Sequence, residues 1–138
     1  MKQVDELIRG ELAAVKSFDA VINRIKDESE KLKLSDLRRD HVKAVETLKK
    51  FAGGDYKGAS VDSSGPWGTF SSAFAGGASF FGDKAAIRAL KVGEEHGLQE
   101  YKEALEDQGL TADLKRVIQS ELLPQQESHL SIINSYLQ

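Results

Sequence analysis

The sequence predicts an all-α protein, a four-helix bundle made of two helical hairpins joined by one long crossover. Apolar residues recur three and four apart through both ends of the chain, which is the signature of amphipathic helices. Eight of the 12 glycines fall between Gly53 and Gly82, and from Gly58 to Gly82 the only charged residue is Asp62, so the middle differs in kind from the arms. With no cysteine, a disulfide scaffold, a thiolate metal site and a cysteine nucleophile are all excluded.

The first helix is expected over 3–26, where Val4, Leu7, Ile8, Glu11, Val15, Phe18, Val21, Ile22 and Ile25 share a face. Lys26-Asp27-Glu28 interrupts the pattern, and Ser29 is the expected N-cap of a second helix over 30–52. Its inner line runs Leu34, Leu37, His41, Val45, Leu48 and Phe51, and Gly53-Gly54 stops it. Asp83 is the expected cap of a third helix over 83–108, with Ile87, Leu90, Glu94, Leu98, Tyr101 and Leu105 inward. Thr111 caps the fourth, over 111–137, with Leu114, Ile118, Leu122, Gln125, His129, Ile133 and Tyr136 inward. Pro124 lies inside this helix, leaves the Ser120 carbonyl without its donor, and requires a kink or bulge.

Neither hairpin can hide its stripe alone, so the two pack together as one domain over 1–138. The crossover 53–82 is long enough to run the bundle's length, roughly 30–35 Å for helices of this size. A long second connection is the wiring of ferritin-like bundles; the alternative is a simple up-down-up-down bundle, which would need only a few residues there.

Each inner line is broken once by a polar residue: Glu11, His41, Glu94 and His129, the last with Gln125 and Gln126 beside it. One carboxylate or imidazole per helix at mid-height suits a metal site for a single iron, manganese or zinc ion. Glu11 and His41 come out level, while His129 overshoots Glu94 by about 7 Å, with Gln125 nearer the level. Gly10 beside Glu11, and Gly93 and Gly97 beside Glu94, fit either close packing or an open cavity. A di-iron site would need Glu-x-x-His on two helices; the chain has Arg38-x-x-His41 and Gln126-x-x-His129 instead, which argues against two metals. The alternative is a metal-free polar network, with Glu11 paired to Arg38 and Glu94 to His129. His96, about 200° round the helix from Glu94, belongs on the surface.

Trp67, Phe70, Phe74, Phe80 and Phe81 either close one side of the bundle or form a surface for self-association or a protein partner, within 66–81. The 19 basic and 22 acidic residues are well mixed, which leaves no footprint for nucleic acid. No run of 18 uncharged apolar residues occurs and no secretory signal opens the chain, so a cytoplasmic protein without membrane partners is expected. No nucleophile motif or phosphate-binding loop points to an enzyme.

The chain resembles an uncharacterised bacterial family of ferritin-like four-helix-bundle proteins of unknown function. The likeness rests on Leu7-Ile8-Arg9-Gly10-Glu11, Trp67, the stretch from Lys91 to Leu105, and His129-x-x-Ile132. In that family a His-Arg pair precedes the Trp, where Ser64-Gly65-Pro66 stands here, so any role of that pair is absent. The resemblance implies the fold and supplies no reaction; a non-catalytic or weakly metal-binding stress or housekeeping protein is the expected function.

Overall fold

A computed structural model describes residues 2–52 and 82–138. The aromatic residues Trp67, Phe70, Phe74, Phe80 and Phe81, and the segment from 53 to 81, lie outside the described residues. What is described is helical, without a strand. Helix α1 spans Lys2–Ile22, α2 Glu28–Lys49 and α3 Asp83–Glu106. A fourth rod comprises α4 (Ala112–Val117), a π-helical turn (Ile118–Leu122) and α5 (Leu123–Tyr136). None of these helices is long and apolar enough to cross a membrane.

Local chemistry sets the boundaries. Asp27, not Ser29, caps α2: its carboxylate accepts from Glu30 N at 2.9 Å. The cap moves forward because α2 begins at Glu28, so the side chain with reach to the third helical N–H is Asp27. Asp83 is the first residue of α3 rather than its cap, which is Gly82 at φ 89°, a backbone region that favours glycine. The Asp83 carboxylate instead accepts from Lys26 N, tying α3 to the α1–α2 turn. Thr111 Oγ1 accepts from Leu114 N, as the sequence predicts. The irregularity that Pro124 requires takes the form of the π-turn, in which Leu123 N reaches back to Ile118 O.

The rods pack as a bundle-like array, α1 against α2 and α3, and α3 against α5. Their apolar faces form two clusters rather than one. At one end Val4, Leu7 and Ile8 meet Leu48, Ala104, Leu114 and Ile118. At the other, Phe18, Val21 and Ile25 meet Leu34, Leu37, Ile87, Leu90 and Ile133. Each fully buried aliphatic side chain stabilises the fold by about 1.5–3 kcal/mol. On every rod the break between clusters falls at a polar residue: Glu11, His41, Glu94, and Gln126 with His129. The core is therefore a polar layer between two apolar ones. The clusters also fix direction, because α2 ends in the first cluster and α3 begins in the second.

Candidate metal centre

The four side chains singled out from sequence, Glu11, His41, Glu94 and His129, are all at least 95% buried. His41 is central. Its Nδ1 lies 2.5 Å from Glu11 Oε2 and its Nε2 lies 2.7 Å from Glu94 Oε1. Tyr101 donates its hydroxyl to the other Glu11 oxygen at 2.5 Å. Gln126 donates both amide hydrogens to Glu94, one to its backbone oxygen and one to Oε2, each at 2.9 Å.

His129 completes the layer. Its Nδ1 is 3.3 Å from Glu94 Oε2 and its Nε2 is 3.0 Å from Asp40 Oδ2. The 7 Å overshoot expected for His129 closes for two reasons. Helical side chains lean toward their own N-terminus, so on antiparallel α3 and α5 Glu94 and His129 lean toward each other. The π-turn also carries an extra residue, which rotates the rest of the rod and brings Gln126 and His129 inward. Gln125, nearer the level by counting, is left half-buried.

Arg38 does not pair with Glu11. It meets Asp19 of α1 at 2.5 Å on a partly exposed face. His41 already holds Glu11, and a guanidinium that finds a carboxylate near solvent avoids the cost of burial. Glu46 likewise pairs with Lys49 at the surface, and His96 is exposed. Two partners escaped the sequence reading. Tyr101 read as a core aromatic, although a buried hydroxyl needs an acceptor and Tyr101 shares a helix face with Glu94, seven residues earlier. Asp40 left no periodic signal, since it sits at the edge of the inner face beside His41.

Electrostatics arise from the contacts. Burial alone would depress the His41 pKa, but the charges of Glu94 and Glu11 and hydrogen bonds to both raise it well above the ordinary imidazole value. For Glu94 burial pushes upward, yet the His41 charge and the hydrogen bonds from His129 and His41 prevail, and its pKa falls to about 2. Burial, reinforced by the Glu11 charge, raises Tyr101 well above its usual value and keeps it a donor. In the metal-free protein His41 is an imidazolium clamped between two carboxylates, an internal cation.

The donor set also fits a metal ion. Ligand atoms of His41, Glu94 and His129 all lie within 4.8 Å of one another. Behind each imidazole stands a carboxylate: Glu11 at His41 Nδ1, and Asp40 at His129 Nε2. This is the arrangement that orients metal-binding histidines, leaving the opposite nitrogen, His41 Nε2 or His129 Nδ1, toward the metal. A proton on Nε2, toward Asp40, would leave an Nδ1 lone pair 3.3 Å from Glu94 Oε2, and two acceptors so placed would be stabilised by a cation between them. Glu11 reaches this group only through the His41 ring. Two buried carboxylates balance one divalent ion, and with Arg38 occupied elsewhere no fixed cation enters the sum.

A narrow, partly open cleft leads to the layer between α1 and α3. Glu11, His41 and Glu94 form its floor, and Gly10, Ala14, Gly93 and Gly97 line its walls. A Cβ at Gly97 would stand 2.9 Å from Gln126 Nε2, so a larger residue there makes the Gln126 amide shift.

Comparison of the chain with protein-family models, with curated proteins and with solved structures finds no match.

Proposed function

We propose that this protein is a ferritin-like bundle that binds a single divalent metal ion in its polar layer, through His41 Nε2, His129 Nδ1 and Glu94. The observation that carries the reading is the buried convergence of these three side chains, each imidazole backed by its own carboxylate. Two nitrogens and a carboxylate suit iron, manganese or zinc. The ferritin-like part rests on the family resemblance of the sequence and on α2 ending and α3 beginning in opposite apolar clusters, which calls for a connection running the bundle's length. Arg38 and Gln126 stand where the two bridging carboxylates of a di-iron site would be needed, so charge favours one metal over two and argues against ferroxidase chemistry. Glu11 and Asp40 hold the rings, and Tyr101 and Gln126 hold the carboxylates.

Metal analysis of protein purified without added metal, and after equilibration with Fe(II), Mn(II) or Zn(II), tests this. About one equivalent is expected, lost in a Glu94→Ala/His129→Ala variant that stays helical. No binding of any of the three by the wild-type protein would leave His41 as the permanent cation of a structural network.

A further inference from the structure

The geometry points to an open coordination position on the α1–α3 side of this metal, shaped for one small neutral molecule no larger than water or a diatomic gas. This deepens the metal reading and rests on it. Three protein ligands leave a divalent ion at least one position short, the arrangement of catalytic rather than closed sites. The cleft places that position: His41 and Glu94 line its floor, whereas His129 does not line it and approaches from elsewhere. A ligand arriving through the cleft meets the metal on the face that the protein leaves bare.

Size and charge define the guest. Gly10, Gly93 and Gly97 line the slot without side chains and Ala14 with only a methyl group. The cleft as a whole has room of about 10 Å³ for the centre of a water-sized molecule, near the lower limit for holding one water. An anion finds no welcome there. The carboxylates of Glu11 and Glu94 already balance a divalent ion, so an anion would add an uncompensated buried charge, while the Tyr101 hydroxyl is spent on Glu11 and both Gln126 amide hydrogens are spent on Glu94. The guest is therefore a neutral molecule of water or diatomic-gas size, and an extended organic substrate is shut out.

Nitric oxide, a neutral diatomic, is the probe. The protein is loaded with Fe(II) without oxygen, bound iron is counted, nitric oxide is added, and the Fe(II)–nitrosyl signal is read by electron paramagnetic resonance. Wild-type protein is expected to hold about one iron and give the nitrosyl signal, while imidazole, a larger neutral ligand, leaves the iron's spectrum unchanged. An Ala14→Leu variant, which fills the slot without touching a ligand, is expected to keep its iron and lose the signal. If that variant fails to fold, the nitric oxide and imidazole comparison on wild-type protein decides alone. Bound iron with no nitrosyl signal overturns the open position and leaves the metal site standing; imidazole binding as well as nitric oxide overturns the size limit. No bound iron removes both.

Discussion

Replacing Glu11 by glutamine separates an orienting carboxylate from a metal ligand. The side chain keeps its shape and keeps an oxygen for Tyr101 or His41, but loses the charge that holds the His41 ring at 2.5 Å. If Glu11 only orients His41, metal affinity falls 10–100-fold, about 1.4–2.7 kcal/mol. Removing a ligand, as in Glu94→Ala, costs far more. The metal-free protein also loses a charge-assisted hydrogen bond inside the core, worth about 1.5–3 kcal/mol. Competition of each variant against a chromophoric chelator gives the first quantity, and urea unfolding of metal-free protein gives the second. A Glu11→Gln affinity loss as large as that of Glu94→Ala would place Glu11 in the coordination sphere. A loss under twofold would mean that His41 needs no carboxylate behind it.

Two further perturbations test other parts of the layer. Metal-free protein should have a stability plateau on the acid side of neutrality. The raised His41 pKa contributes stability that is full below the unfolded imidazole value of 6.5 and fades as pH rises through the folded value. The lowered Glu94 pKa contributes stability that is full above 4.5 and is lost as pH falls toward about 2. Urea midpoints that do not change between these limits and alkaline pH would contradict the imidazolium clamp. Gly97→Ala gains about 1 kcal/mol of helix propensity but pushes the Gln126 amide off Glu94, a loss of about 1–3 kcal/mol. Thermal unfolding should therefore shift little while metal affinity drops, and an unchanged affinity would show that Gln126 does not position Glu94.

The helices were legible because their apolar spacing is regular, and so was the polar layer, because Glu11, His41, Glu94 and His129 each break an otherwise apolar line. Partner choice was harder to read. Counting residues along straight helices left His129 too far from Glu94, since counting ignores the lean of side chains and the extra residue of the π-turn. Arg38 looked like the natural partner of Glu11 on charge alone, but pairing depends on where each head group can stay near water, and Asp19 offered that. Asp40 and Tyr101 were invisible for opposite reasons. One lies off the periodic face, and the other hides a polar hydroxyl behind an apolar ring that fits the pattern.

Diffraction from zinc-loaded crystals, collected on both sides of the zinc absorption edge, would locate the ion itself. An anomalous peak is expected within bonding distance of His41 Nε2, His129 Nδ1 and a Glu94 oxygen, with Glu11 still on His41 Nδ1. Zinc found only at surface carboxylates, with His41 still bridging Glu11 and Glu94, would show that the polar layer is complete without a metal.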